Sequence, residues 1–115
     1  MPLYVVDKVI VAPPSSTAKY PVFRTPSLRN YCVKRILLHF PTGVNYTLNV
    51  KFFIGEEQVL PNEGYFTGDD CVLPIDVELV VTGGSVLYAE VTNTDSSYDH
   101  RVQIIVMGEL ESIQR

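Results

Sequence analysis

Asp69 and Asp70 stand together in Gly64-Tyr65-Phe66-Thr67-Gly68-Asp69-Asp70, two adjacent carboxylates among glycines and aromatics. A nucleotidyl-transfer centre uses such a pair to hold magnesium, with at least one further carboxylate from a neighbouring strand. With Glu63, the same pair offers oxygens to calcium, which takes roughly six to eight of them. The Asp-x-Asp-x-Asp-Gly spacing of a calcium loop is missing, and a Gly-Asp-Asp turn is also an ordinary entry into a strand. A second polar cluster runs Asn93-Thr94-Asp95-Ser96-Ser97-Tyr98-Asp99-His100. Its Asn93, Asp95 and Asp99 suit a cation or a sugar hydroxyl, but the same composition serves a plain strand-to-strand loop.

The remaining reactive residues form no recognisable constellation. Cys32, Cys71, His39 and His100 lack the paired spacing of zinc ligands. Neither cysteine lies in a nucleophile motif, and Ser15-Ser16 and Ser96-Ser97 lack the Gly-x-Ser-x-Gly elbow. Gly83-Gly84 reads as a hairpin turn and not as a phosphate loop. No catalytic, cofactor-binding or metal-binding residue is therefore expected, and no cofactor. Aromatics are more informative than acids: Tyr65, Phe66 and Tyr98 fall in expected loops, where an amphipathic ring suits an interface or caps the open end of a sandwich. The absence of Trp counts against stacking on sugar rings.

The elements that must carry these residues are strands. No window shows a capped i, i+3, i+4, i+7 stripe, and β-branched and aromatic residues dominate the apolar set. Strands are expected over residues 3–11, 31–40 (with Cys32, Lys34, Ile36, Leu38 and Phe40 on one face), 46–54, 58–60, 72–73 with 75–81, 86–92 and 101–110. Inward faces are Leu48, Val50, Phe52 and Ile54; Ile75, Val77, Leu79 and Val81; Leu87, Ala89 and Val91; and Val102, Ile104 and Val106. Thr82-Gly83-Gly84-Ser85 is a hairpin signal. Pro13, Pro14, Pro21 and Pro26 make the stretch from Ala12 to Asn30 a connection that wraps a sheet edge or crosses between sheets, and exclude a central strand there. With Phe23–Thr25 or Tyr65–Thr67 as a marginal edge strand, about seven to nine strands result, with turns every ten or so residues. The expected fold is one all-β domain over residues 1–115, an antiparallel β-sandwich of jelly-roll-like topology.

The chain has 115 residues, 46% apolar and 19% charged, which excludes a disordered tail and allows a core that needs no staple. A net charge of −4, from scattered residues, argues against a nucleic-acid partner. No run approaches the roughly 18–20 apolar residues of a membrane span, and the N-terminus reads as a strand and not a signal peptide. Folding in the cytoplasm is the resulting expectation, with Cys32 and Cys71 as buried free thiols, the alternative being a disulfide if the fold brings their Cα atoms within about 7 Å.

One set of strings carries a family likeness: Ile36-Leu37-Leu38-His39-Phe40-Pro41-Thr42-Gly43, then Val50–Pro61 with its Gly-x-x-Gln-x-x-Pro, then Phe66-Thr67-Gly68-Asp69-Asp70. Together with Asn93-Thr94-Asp95 and His100, these resemble small β proteins encoded in tailed-phage and prophage genomes. The likeness spans most of Ile36–Val106; the first 35 residues match in style alone. It implies a non-enzymatic virion protein made in the host cytoplasm, of the capsid decoration or cement type, on the capsid surface. Its implied partners are the major capsid protein or other virion proteins, and copies of itself, a trimer being favoured, with no nucleic acid and no membrane. Candidate interface residues are Leu3, Tyr4, Pro13, Pro14, Tyr20, Pro21, Tyr65, Phe66 and Tyr98, because a proline-rich connection and an apolar N-terminal strand can be lent to a neighbour. The alternatives are a receptor- or glycan-binding module on a phage fibre or host enzyme, and a small β-barrel enzyme or metal-dependent hydrolase.

Overall fold

Period-two alternation governs the chain, and every regular element among the described residues is a strand. A computed structural model describes residues 3–112. Its strands are β1 (Leu3–Ala12), β2 (Ser16–Arg24), β3 (Arg29–Phe40), β4 (Leu48–Ile54), β5 (Glu57–Leu60), β6 (Cys71–Val81), β7 (Val86–Asn93) and β8 (His100–Ser112). They form two antiparallel four-stranded sheets, ordered β1-β8-β3-β6 and β2-β7-β4-β5. First pairs with last and so inward, β1 with β8, β2 with β7, β3 with β6, β4 with β5, so the fold is one long hairpin rolled up. This is a jelly roll, as expected. Only β4 and β5 are joined within a sheet; each other connection crosses between the two.

The expected inward faces of β4, β6, β7 and β8 are the observed ones, with Leu48, Val50, Phe52, Leu87, Ala89, Val91, Val102, Ile104 and Val106 buried and Ile75, Val77 and Leu79 partly so. Four expectations need correction. The proline-rich connection contains a nine-residue strand, β2, at the edge of the second sheet. An edge leaves the N–H of every other residue without a strand partner, which tolerates Pro21, and the register slips between Pro21 and Phe23. Strand β6 runs unbroken through Pro74 for the same reason, being the edge of the first sheet. The Thr82–Ser85 turn closes no hairpin: Ser85 N–H donates to the Thr82 carbonyl at 3.0 Å, but β6 and β7 lie in different sheets. Gly83 is needed there because a Cβ would lie 2.4 Å from the Ser27 carbonyl oxygen.

The fourth correction concerns β3. A register shift between Val33 and Arg35 is a β-bulge, which inserts one extra residue and flips the facing of what precedes it. Tyr31 and Val33 therefore point inward before the bulge, and Ile36, Leu38 and Phe40 after it. Cys32 and Lys34 do not share the face of Ile36. Lys34 and Arg35 both stay exposed and pair with Glu78 at 3.1 Å and Asp76 at 3.0 Å.

Tyr31 marks the end of the sandwich farthest from Phe40. Its ring is fully buried against Phe23 (4.7 Å between centroids) and Tyr4 (5.8 Å), and its hydroxyl lies 2.7 Å from the Tyr4 carbonyl oxygen. Burial, then the neighbouring Tyr4, pushes the Tyr31 phenol up to about 12. The folded protein thus holds this proton more tightly than the unfolded chain, where tyrosine titrates near about 10. The associated stability is complete below about pH 10 and is lost as the pH rises through the folded value of about 12. Tyr31→Phe is accordingly expected to be about 1 kcal/mol less stable than the parent at neutral pH. Denaturant titrations along the pH scale should show that gap closing in this alkaline window. A constant gap would rule out the linkage.

Candidate interaction surface

The turns β1–β2, β3–β4, β5–β6 and β7–β8 all emerge at one end of the sandwich, and the suspected chemical motifs lie there. Asp69 does not face an open site. Its Oδ1 accepts the N–H of Gly43 at 3.1 Å and of Asn45 at 2.8 Å. Around it, Asp70 N–H donates to the Pro41 carbonyl, and Tyr46 N–H to the Gly68 carbonyl. Gly68 lies on the Phe40 ring, so close that a Cβ would sit 2.9 Å from Phe40 Cδ2 and 2.7 Å from Cys71 Sγ. Phe-Pro-x-Gly and aromatic-x-Gly-Asp-Asp are therefore two halves of one clasp between the β3–β4 and β5–β6 turns. Gln58 works similarly within its own motif, its Nε2 donating to the Pro61 carbonyl at 2.6 Å and to that of Gly64 at 3.2 Å.

The Asn93–His100 cluster is also turned inward on the backbone. Buried Asn93 donates to the carbonyls of Ala12 and Tyr98, both at 3.0 Å, and its Oδ1 accepts Asp95 N–H at 2.9 Å. Asp95 in turn accepts the N–H of Ser97 at 2.9 Å, and its Oδ2 lies 2.8 Å from His100 Nε2. The hydrogen bond with His100, followed by that from Ser97, holds the Asp95 carboxyl below the usual carboxylate range. Ser15 N–H to the Asp95 carbonyl and Thr94 N–H to the Thr47 carbonyl tie this loop to its two neighbours. Among the described residues, no three of His, Cys, Asp or Glu gather in a group able to hold a metal ion. Cys32 and Cys71 are free thiols near opposite ends of the β3–β6 pair; Cys71 is exposed and not buried as expected. Burial, then a hydrogen bond with Glu111, pushes the Cys32 thiol up, which disfavours the thiolate.

The clasp carries a measurable consequence. Asp69→Ala removes both amide interactions of its carboxylate, and at a half-exposed position this should lower unfolding free energy by about 1–2 kcal/mol. Thermal unfolding followed by circular dichroism checks it. A melting temperature equal to the parent's would show that Asp69 does not hold the turn.

What remains for contact is apolar and aromatic. Tyr65 is exposed in the β5–β6 connection, Tyr98 in the β7–β8 loop, and Pro13 and Pro14 in the β1–β2 turn. Leu3 lies at the far end of β1, 68% exposed, with Tyr4 packed edge-on against Phe23. Pro21 is exposed on β2. Tyr20 and Phe66 turn toward the core, Phe66 through a bridge to Val50 and a ring contact with Phe52. The structure adds Tyr46, exposed in the β3–β4 turn, and a second region that sequence reasoning missed. On the outer face of the first sheet, Val5, Val9 and Val11 of β1 and Val72 and Val80 of β6 each expose half or more of their surface. The available signal was β1 itself, which is apolar at both odd and even positions although it lies at an edge.

Fold and surface together define a jelly-roll β-sandwich whose polar motifs close its own loops and in which no pocket opens among the described residues. No protein-family model matches the chain, and no curated protein matches it in sequence. In fold it is similar to a chain of the acid-stable capsid structure of Helicobacter pylori bacteriophage KHP30, with a TM-score of 0.59 and 15% identity, covering 98% of this chain and 94% of that one. At this identity the likeness is one of fold.

Proposed function

We propose that the chain is a one-domain, non-enzymatic structural protein of a phage virion, of the capsid decoration or cement type, binding the capsid surface across joints between shell subunits. The observation that carries the reading is the end-to-end fold likeness to a chain of a phage capsid structure. The loop clasps support it, because the acids and amides that would otherwise serve a reaction hold backbone amides in place. Such a protein works by adding buried area at many symmetry-related seams and acts as a homo-oligomer. Mixing the purified chain with capsid shells of the phage or prophage that encodes it should give co-sedimentation at a fixed copy number and raise the shell's disruption temperature. A chain that stays in the supernatant at every concentration would overturn the proposal.

Three exposed loop tyrosines, Tyr46, Tyr65 and Tyr98, favour a second reading, a receptor- or glycan-binding module. Binding on a glycan array that disappears in Tyr65→Ala with Tyr98→Ala would support it over the first.

A further inference from the structure

The two outer faces of the sandwich differ in kind. Across the second sheet run Thr17, Thr92 and Asn49, then Lys19, Glu90 and Lys51, then Pro21 with the half-buried Tyr88 and Phe53, the last covered by Lys19, and among the described residues no large aliphatic or aromatic side chain is exposed on it. Across the first sheet run the rows Val9–Gln103–His39–Val72, Asp7–Ile105–Leu37–Pro74 and Val5–Met107–Arg35–Asp76. Its cations at the bulge are already paired, Lys34 with Glu78 and Arg35 with Asp76, and Ile105, Leu37, Pro74 and Met107 make its middle apolar, with Asp7 at the β1 edge.

We propose that this face of β1-β8-β3-β6 binds a second copy of the chain, face to face and with strands antiparallel. Four strands about 4.8 Å apart and about 30 Å long present a footprint of roughly 600 Å² before side-chain relief is counted. That is on the scale of the roughly 800 Å² per partner buried in a standard specific interface. Charge sets the orientation. On β8, Arg101 lies at the loop end and Glu109 at the other, with Ile105 midway between them. A two-fold axis through the Asp7–Ile105–Leu37–Pro74 row sets Arg101 of one copy over Glu109 of the other, Val5 over Val9, and Ile105 and Leu37 over themselves. Turning the copy parallel would instead stack the two acidic ends. Asp7, held by Gln103 Nε2 at 3.0 Å, meets its own image at the rim, where twisted sheets splay and water remains. One face meeting itself closes a two-fold pair, whereas the trimer favoured by family likeness needs two different patches. The pairing does not depend on the virion role.

Sedimentation equilibrium of the full chain tests the proposal. The parent is expected to be a dimer at micromolar concentration, and Val5→Asp with Val9→Asp should raise its dissociation constant on the order of 100-fold with an unchanged circular dichroism spectrum. Arg101→Glu should weaken the pair, and Glu109→Arg added to it should restore it, a readout that core damage cannot mimic. A parent that is monomeric at about 100 μM, at which a micromolar pair is nearly complete, overturns the pairing. So does a trimer. A monomer whose co-sedimentation with capsid shells is lost in the Val5/Val9 variant overturns it too, and assigns the face to the shell. A dimer that ignores shells leaves the pairing standing and fails the virion role alone.

Discussion

Phe40→Ala is expected to lower the unfolding free energy by about 4 kcal/mol and the melting temperature by on the order of 15 °C. Phe40 is fully buried, pairs across the sheet with Cys71 and forms the floor beneath Gly68. The loss has two parts: the transfer energy of the ring, and a cavity that rolled sheets joined on both sides cannot collapse to fill. The effect should also reach the clasp, because Gly68 no longer has a surface to lie on. Hydrogen exchange at the amides of Gly43, Asn45 and Tyr46 should quicken more than exchange in β2, at the far edge of the other sheet. A loss below about 1.5 kcal/mol would mean the site relaxes in a way the geometry does not anticipate. Exchange that rises uniformly would remove the claimed coupling of Phe40 to the clasp.

Gly108→Ala is the second large effect, about 3 kcal/mol of destabilisation measured by urea unfolding. Gly108 sits on β8 opposite Val33, beside the β3 bulge, and is buried. A methyl group there would lie 2.2 Å from the Cys32 carbonyl oxygen and 2.9 Å from the Val33 Cα. Both are backbone atoms, so no rotamer change relieves the contact, and the two strands must separate at the bulge. Gly64→Ala provides the contrast: its Cβ would meet nothing within 4 Å, and its cost arises from a φ of +84° alone. A Gly108→Ala protein as stable as its parent would show that the bulge is free to move.

Fold class was legible because strand facing is a local property. Leu48, Val50 and Phe52, or Val102, Ile104 and Val106, show their inward side by alternation alone, and the strand order follows the expected jelly roll. Facing failed in β3, where one extra residue at the bulge reverses the phase and the letters YCVKRILLHF carry no sign of it. The Thr82–Ser85 turn shows the same boundary. Its glycines specify a reversal, but whether the next strand pairs with the last or crosses to the other sheet depends on partners far away in sequence.

The candidate site divides along the same line. Sequence alone determined that the acids of Gly68-Asp69-Asp70 lie in a turn, that Tyr65 and Tyr98 stand in loops, and that no catalytic constellation is spelled out. Tertiary structure alone decided what those acids hold. Asp69 meets Gly43 and Asn45, residues 26 and 24 positions away, only because rolling the sandwich brings alternate turns to one end. It also decided that the apolar side chains of β1 and β6 share one uncovered face. Alternation reports that a side chain points to one side of a strand, and only the packing of sheets determines whether that side meets a core or water.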